Sequence, residues 1–393
     1  MAYMEKKKLK IALFTDTLCD ANGVSRFIQD MSKEALKCDD IELKVFSSTL
    51  KNYCDLNENI HIYKPLFRFS IPFYKELDVV FPPYFKMSKA IKEFAPDIIH
   101  VSTPGFVGLA GRNIAKCKKL PIIGTYHTDF PMYLYKNTNS NIAKEIASYM
   151  MKLYYKPFQA MVTRSPEYLE IIEKDIRFKK EHIHFLSAGT NTRRFQPTFK
   201  DESIWEGYGI PKEAMKFLYV GRISKEKNVQ ELFEIWKAFY KQSHRKTSYL
   251  ILVGTGALEK HKEELKGYNI RFLGHKNSEE LAPIYASSSV FLFPSITDTL
   301  GQVVLEAIAS ATPVMVTDMG GPRGIVESAK APIGWVRSIN HHNHWVEILL
   351  GIENKEIDID QISHEAYEHS KNYSITKTFE DFIDIHRYEL NRL

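Results

Sequence analysis

Residues 291–321 read FLFPSITDTLGQVVLEAIASATPVMVTDMGG, and this stretch decides the fold expected for the second half of the chain. It starts within a buried apolar strand (290–293) and continues through a polar loop into a helix that opens near Leu300 or Gly301. A second apolar strand (313–317) then precedes a Gly-Gly turn. Strand, helix and strand in this order predict one unit of a parallel α/β sheet.

Two acids in this stretch, Asp298 and Glu306, stand eight positions apart, one in the loop and one about two turns into the helix. A loop that leads into a helix N-terminus offers backbone N–H groups and a positive dipole end to an anion. An acid before such a site can hold sugar hydroxyls, and an acid further along can hold a ribose diol, so the arrangement suits a nucleotide-sugar. The alternatives are that Asp298 is a helix-cap residue and that Glu306 is solvated. Spacing alone leaves both open.

The composition is that of a water-exposed globular protein with more than one core. At 393 residues the length favours two or three domains. No apolar run approaches the roughly 18 residues that a membrane span needs. The lysine-rich N-terminus is followed by only a short apolar run (11–14), too short for a signal peptide, and the four cysteines form no C-x-x-C pair. We therefore expect a cytoplasmic protein with neither a zinc site nor a disulfide framework.

Charge is distributed unevenly along the chain. Residues 1–200 hold 31 Lys and Arg against 21 Asp and Glu, a balance of +10, whereas the remaining residues hold 22 against 27, a balance of −5. Such an asymmetry indicates that the first half meets an anionic surface or ligand, although a generally lysine-rich composition would give the same numbers. No nucleic-acid partner is expected.

Apolar strands alternate with helical stretches in both halves, which predicts parallel, doubly wound sheets. The predicted strands are 9–15, 43–47, 98–102, 122–126, 160–163 and 184–186 in the first half, and 216–220, 248–253, 270–273, 290–293 and 313–317 in the second. A polar segment, 190–212, separates them. The prediction is an α/β fold of two Rossmann-like domains, 1–200 and 212–370, facing a central cleft, with a helical tail, 371–393, that packs back on the first domain.

Polar residues follow several predicted strands, where parallel sheets bind their ligands. Gly23 forms a turn with Asn22 after the first strand, and His127 lies directly beyond the strand that ends at Tyr126. Arg222 and Lys227 lie five positions apart in GRISKEKN and could converge on one diphosphate. Each signal is weak alone: a turn glycine, a loop-bonded histidine or a solvated basic turn explains each one equally well.

Taken together, the motifs resemble those of the family 4 retaining glycosyltransferases over about residues 9–337. The signature of the second half is matched by Pro294-Ser295, Asp298, Gly301, Glu306, Thr312-Pro313-Val314, Asp318 and Gly320-Gly321. Arg222 and Lys227 match the family's diphosphate-binding pair, Gly23 its N-terminal Gly turn, His127-Thr128 its HT motif, and 189–197 its domain linker. The wording is most similar to the lipid-directed branch of sulfoquinovosyl-diacylglycerol synthases and GDP-mannose-dependent α-mannosyltransferases.

The chain also departs from the family pattern. Asp298 replaces the usual Glu, Ala311 replaces a Gly, Gly324 stands where a Glu commonly follows the Gly-Gly turn, and Asn191 replaces the linker Asp. Since none of these changes removes a diphosphate ligand, activity is still expected.

The resemblance implies the GT-B fold and a donor site mainly on the second domain. The residues it assigns to the donor are Arg222, Lys227 and the N–H groups around Leu300 and Gly301 for the diphosphate, Glu306 for the ribose, Asp298 for the sugar, and Gly23 and His127 from the first domain. Among these, Asp298, His127, Arg222 and Lys227 are the predicted catalytic residues. The resemblance further implies retention with an α-linked product, without a general base. No cofactor is expected, and no D-x-D follows a strand to hold a metal.

The acceptor is predicted to be a glycolipid or another lipid-linked or saccharide hydroxyl. Two basic-aromatic regions, 63–75 with 81–86 and 149–158, suit an anionic membrane surface and a peripheral location on its inner face, whereas core packing is the competing interpretation. The donor is expected to be GDP-mannose or a UDP-hexose. A soluble or polysaccharide acceptor, a nucleotide-sugar epimerase and a non-catalytic nucleotide-sugar-binding module are the alternatives.

Overall fold

The computed structural model describes residues 8–20, 22–51, 56–71 and 74–393. The chain divides into two units, one formed by Met1–Ser187 with Ile375–Leu393 and the other by Ala188–Ser374. The polar segment 190–212, at which the sequence suggested a boundary, falls within the second unit.

The helices and strands of the first unit are β1 (Leu9–Phe14), α1 (Gly23–Ala35), β2 (Ile41–Ser48), β3 (Ile60–Tyr63), β4 (Phe67–Ile71), β5 (Tyr74–Phe81), α2 (Tyr84–Phe94), β6 (Ile98–Val101), α3 (Phe106–Lys118), β7 (Ile122–Tyr126), α4 (Phe130–Thr138), α5 (Asn141–Tyr155), β8 (Ala160–Thr163), α6 (Glu167–Lys174) and β9 (Ile183–Phe185). Those of the second unit are β10 (Lys216–Val220), α7 (Val229–Gln242), β11 (Tyr249–Val253), α8 (Lys262–Leu265), β12 (Ile270–Gly274), α9 (Ser278–Ala286), β13 (Val290–Phe293), α10 (Gln302–Ala309), β14 (Val314–Thr317), α11 (Gly321–Glu327), β15 (Gly334–Arg337), α12 (His342–Glu353) and α13 (Ile359–Ser370). The chain ends with α14 (Ile375–Asn391), which belongs to the first unit.

The first unit is built on a parallel sheet with the strand order β3-β2-β1-β6-β7-β8-β9 among the described residues. Successive residues of β1 point to opposite faces and are all buried: Ile11 and Leu13 pack in one apolar cluster, Ala12 and Phe14 in the other. Burial on both faces explains why these strands are apolar at nearly every position. The order reverses between β1 and β6, which is the topological switch point of this sheet.

The C-terminal helix α14 covers the face of the first sheet that carries Ile11 and Leu13, through Phe379, Phe382 and Ile383. Its His386 continues the contact as a polar chain within the apolar cluster. The Nδ1 atom of His386 lies 2.6 Å from the carbonyl of Phe382, and its Nε2 lies 3.0 Å from Nδ1 of His100. Burial lowers the pKa of His386 to about 4, so this ring is neutral at neutral pH.

The second unit is built on a parallel sheet with the order β12-β11-β10-β13-β14-β15 among the described residues, reversing between β10 and β13. Its strands run through one large apolar cluster that also contains the fully buried indoles of Trp205, Trp236 and Trp345. The units thus confirm the α/β prediction of two doubly wound, Rossmann-like parallel sheets.

The sequence missed the strands that lie at edges. β3 and β15 are half-exposed throughout, and β4 with β5 forms a separate antiparallel hairpin. Such strands lack the continuous apolar run that marks a strand buried on both faces. Cys19 is disulfide-bonded, contrary to the prediction from cysteine spacing, whereas Cys38 and Cys117 are free. Within the described residues, none of the helices combines the length and the apolar character needed to cross a membrane.

Candidate functional site

The loops that follow β10 and β13 meet at the switch point of the second sheet. Neighbouring strands diverge there, so their carboxyl-end loops form the natural ligand site of the fold. Lys227 Nζ in the first loop lies 2.8 Å from Asp298 Oδ2 in the second, and the side-chain amide of Asn228 donates to the carbonyl of Pro294 over 3.1 Å. The structure therefore brings two of the predicted site residues, Lys227 and Asp298, into direct contact.

The backbone of the loop after β10 is held firmly. The Tyr219 phenol donates to the carbonyl of Arg222 over 2.7 Å, and Ile223 N–H donates to the carbonyl of Thr255 over 3.0 Å. Burial, reinforced by the charge of Asp298, holds the pKa of Tyr219 well above its ordinary value, so this phenol keeps its proton. Arg222 thus projects from a fixed backbone position.

Each cation of this loop is matched by an acid. Arg222 Nη2 lies 3.1 Å from the carboxylate oxygens of Glu226, and Lys227 pairs with Asp298. The side chains of Arg222 and Lys227 are 25% and 14% exposed, which excludes the interpretation of GRISKEKN as a fully solvated basic turn. Partly exposed ion pairs of this kind are worth at most about 1 kcal/mol, so a diphosphate with two negative groups can displace them.

The helix α10 begins at Gln302, and Gly301 precedes it in the left-handed conformation (φ 76°) that a side chain resists. No side chain caps this helix end. The loop before it is fixed from below because Gly321 N–H donates to the carbonyl of Asp298 over 2.9 Å. A Cβ atom on Gly321 would lie 2.0 Å from the carbonyl oxygen of Thr299, so the Gly-Gly turn permits this close approach.

Asp298 does not cap the helix, because its carboxylate bonds to Lys227 and the N-cap position belongs to Gly301. The interpretation of Asp298 as a cap residue is therefore wrong. Leu300 lies half-buried in the loop just before the N-cap and packs on the apolar cluster of the unit.

Glu306 is the fifth residue of α10, one turn into the helix rather than two, and it is 3% exposed. Its carboxylate accepts a hydrogen bond from the Tyr285 phenol over 3.1 Å. The alternative of a solvated helix residue is therefore excluded. A buried carboxylate has lone pairs to satisfy and accepts hydroxyl hydrogens well.

His127 lies in the first unit, directly after β7. Its Nε2 atom is 3.0 Å from Ser102 Oγ, and its ring meets the edge of Phe27 on α1 at 6.4 Å. Burial, with a contribution from the nearby Arg164, lowers the pKa of His127 to about 3. The imidazole is therefore neutral at neutral pH and can exchange hydrogen bonds but carries no charge.

Gly23 is the exposed first residue of α1, one turn before Phe27. Asn22 caps this helix by accepting from Ser25 N–H over 2.9 Å. The pair is thus a helix start rather than an independent tight turn. Through Phe27 the structure connects the helix of Gly23 to the ring of His127, and both stay within the first unit.

Sequence reasoning missed Asp16, which follows β1 at the switch point of the first sheet. Its carboxylate accepts from Thr103 Oγ1 (2.8 Å), Val107 N–H (2.8 Å) and Gly108 N–H (3.2 Å), at the start of α3. Burial raises the pKa of Asp16, against these hydrogen bonds, which lower it. An acid directly after the first strand was the available signal, but its partners lie about 90 positions away. The contacts of Tyr219, Tyr285 and Glu226 were missed for the same reason or because tyrosine and glutamate are common in loops.

Comparison with known proteins supplies the family. The model described as Glycosyl transferases group 1 matches residues 200–369, and the model described as Glycosyltransferase Family 4 matches residues 21–194. The two matches together account for most of both units. The chain belongs to the family 4 glycosyltransferases.

Relatives of this glycosyltransferase include several named after lipid products. It is 28% identical over 272 residues to a sulfoquinovosyl transferase of Arabidopsis thaliana, covering 68% of this chain and 52% of that protein. It is 27% identical over 247 residues to a GDP-mannose-dependent alpha-mannosyltransferase of Mycobacterium tuberculosis, covering 62% and 61%. It is 29% identical over 321 residues to an alpha-monoglucosyldiacylglycerol synthase of Streptococcus pneumoniae, covering 78% and 70%. The chain spans about half to three fifths of the length of the first two.

Solved glycosyltransferase structures share the fold. Sucrose-phosphate synthase from Thermosynechococcus elongatus matches with a TM-score of 0.76 at 17% identity, covering 98% of this chain and 100% of that one. An Anabaena protein solved with UDP and glucose matches with a TM-score of 0.73 at 14% identity, covering 97% and 100%. These likenesses confirm the GT-B fold class of the glycosyltransferase.

Proposed function

We propose that the chain transfers a hexosyl group from a nucleoside-diphosphate sugar to a hydroxyl acceptor with retention, giving an α-linkage. One observation carries the proposal: two cations, an acid and an uncapped helix start converge at the switch point of the second sheet, with a buried carboxylate one turn further on. Each part of a nucleotide-sugar finds a chemically matched group there. Family membership supports the same assignment.

The donor is bound as follows. Arg222 and Lys227 exchange their acidic partners for the diphosphate, and the backbone around Leu300 and Gly301 adds N–H groups at the positive end of α10. Glu306 accepts hydrogen bonds from the ribose hydroxyls, with Tyr285 fixing its orientation. Asp298, released from Lys227, holds the hydroxyls of the sugar.

The reaction breaks the bond between the sugar C1 and the diphosphate oxygen and forms a bond between C1 and the acceptor oxygen on the same face. Negative charge grows on the departing diphosphate, so Arg222 and Lys227 stabilise the transition state more than the bound donor. The acceptor proton passes to the departing phosphate oxygen, which needs no separate general base. From the first unit, His127 supplies a neutral hydrogen-bonding ring to the sugar and Gly23 a helix-start N–H to the donor. The reaction requires no metal.

The acceptor is a lipid-linked or glycolipid hydroxyl, and the protein works in the cytoplasm at the inner face of the membrane. The names of the relatives, an alpha-monoglucosyldiacylglycerol synthase and a sulfoquinovosyl transferase among them, support a lipid acceptor. The same names support a GDP-mannose or UDP-hexose donor. A soluble saccharide acceptor is the second candidate, which the solved likeness to sucrose-phosphate synthase favours only through the fold.

The experiment is a thermal-shift screen of the purified protein against UDP, GDP, ADP and their common sugars, with EDTA present. We expect one nucleotide class to raise the melting temperature, and the shift to vanish in Arg222→Ala and Glu306→Ala. Lys225→Ala is the matched control, since Lys225 is an exposed cation of the same loop. Donor turnover that needs an added acceptor then separates a transferase from an epimerase or a binding module. A protein that no nucleotide stabilises would end the proposal.

A further inference from the structure

The helix α5 has two apolar faces, and only one of them is covered. Ala147, Met151 and Tyr155 are buried against the first unit. On the opposite side Ile142, Ile146, Tyr149, Met150 and Leu153 are 45–74% exposed. We call these five residues the α5 face. At 3.6 residues per turn they fall within roughly 100° of arc, so they form one continuous strip along the helix.

A second group of exposed apolar side chains surrounds the β4–β5 hairpin. Leu66, Phe67 and Phe69 are 47–72% exposed, and Phe85 at the start of α2 is 86% exposed. We call these four residues the hairpin group. Single exposed apolar residues are ordinary, but two groups of this size in one unit are not.

Both groups adjoin the same helix, α3. The hairpin touches it through Phe81, whose ring centroid lies 4.3 Å from that of Phe106. The α5 helix touches it through Arg112, which donates from Nε to the carbonyl of Tyr154 over 2.9 Å. The α5 face and the hairpin group are therefore neighbours in the first unit rather than scattered residues.

The charges beside these groups are mostly positive. Lys152 and Lys156 lie along one edge of the α5 face, together with the acid Glu145, and exposed Lys86 follows Phe85 directly. Residues 1–200 as a whole carry a balance of +10. An apolar strip with an aromatic hydroxyl and flanking lysines fits the boundary between acyl chains and anionic headgroups.

We propose that the α5 face, assisted by the hairpin group, is the surface by which this protein docks on an anionic lipid bilayer, with α5 lying in the plane of the interface. The inference names the partner surface of the proposed function and rests on it for the lipid acceptor. It also corrects the sequence prediction for 149–158, because Met151, Tyr155 and Phe158 are core residues and the exposed strip starts earlier, at Ile142.

The test is sedimentation of the protein with vesicles of phosphatidylglycerol and phosphatidylcholine in equal parts, and with phosphatidylcholine alone. We expect binding to the anionic vesicles that weakens as salt rises, and at least a tenfold weaker partition for Ile146→Gln with Met150→Gln. The matched control is Leu36→Gln with Tyr388→Gln, two exposed apolar residues of the same unit outside both groups. Glutamine keeps the helix, and equal melting temperatures verify the fold.

Equal vesicle binding by the Ile146→Gln, Met150→Gln variant and the wild type would overturn the proposal, as would absence of wild-type binding. A concentration-dependent dimer that this variant dissolves, measured by light scattering, would also overturn it and assign the α5 face to a second copy of the chain. Nucleotide binding separates the two proposals: it stays unchanged in this variant if the donor site is correct, whatever the vesicles show. Loss of nucleotide binding in Arg222→Ala tests the donor site alone.

Discussion

The two switch points of this protein have the same topology and opposite electrostatics. In the second unit the helix after the reversal, α10, starts at Gly301 without a side-chain cap, and Lys227 stands beside the loop before it. In the first unit the corresponding helix, α3, starts on the carboxylate of Asp16. A sheet of this order places loops and a helix start at one edge, but an anion can use that helix start only where no acid already occupies it.

The comparison assigns different work to two aspartates. Asp16 completes the fold of its unit, because it satisfies backbone N–H groups that would otherwise be left without an acceptor. Asp298 completes a site, because its only printed partner is a lysine that a diphosphate can take over. The predictions below separate these roles.

The largest effect is expected for Asp298→Asn on turnover. Loss of the carboxylate that holds the sugar should reduce kcat/KM by about 100-fold, in the range seen when one positioned catalytic group is removed. The affinity for the free nucleoside diphosphate should stay equal or rise, because Lys227 loses its competing acid. Steady-state kinetics together with nucleotide titration measure the split. A parallel loss of both would mean that Asp298 acts through the structure of the loop.

Asp16→Ala should lower the free energy of unfolding by about 1–3 kcal/mol, since it leaves the N–H groups of Val107 and Gly108 and the hydroxyl of Thr103 without their acceptor. Denaturant unfolding measures the change. Asp201→Ala is the control, because this exposed aspartate of the second unit also caps a helical turn through Ser203. An Asp16 variant as stable as the control would remove the distinction between the two switch points.

Acid should weaken the first unit through its buried histidines. The folded pKa of His386 is about 4 and the ordinary value is near 6.5, so the unfolded chain binds the extra proton between these values. The stability contribution is fully present above pH 6.5 and is lost as the pH falls toward 4, by roughly 2 kcal/mol. His386→Gln should flatten that part of the profile in equilibrium unfolding. An unchanged slope would show that other groups govern the acid response.

Gly321→Ala should weaken nucleotide binding by about tenfold, because the added Cβ atom would meet the carbonyl of Thr299 and displace the loop that carries Asp298. The same helix provides a matched control: a Cβ atom on Gly324 would meet no atom within 4 Å. Gly324→Ala should therefore leave binding intact and stabilise the helix slightly. Equal effects of the two changes would show that the close approach at Gly321 is irrelevant to the site.

The sequence predicted those features that depend on local pattern. The central strands were found because their residues are apolar on both faces, and the meeting of Lys227 with Asp298 followed from loops after neighbouring strands. The half-exposed edge strands and the hairpin lacked that pattern. The roles of Asp16 and Tyr285 depend on partners distant in sequence, which no spacing reveals. In α5 both faces are apolar, and only the structure distinguishes the covered face from the exposed one.

The central claim is that a diphosphate binds at the second switch point and not at the first. Calorimetric titration of UDP and GDP into the wild type, Arg222→Ala and Asp16→Ala tests it most directly. We predict that Arg222→Ala weakens the binding of the preferred nucleotide by at least 30-fold, whereas folded Asp16→Ala binds it as the wild type does. Wild-type affinity in Arg222→Ala, or an equal loss in both variants, would contradict the claim.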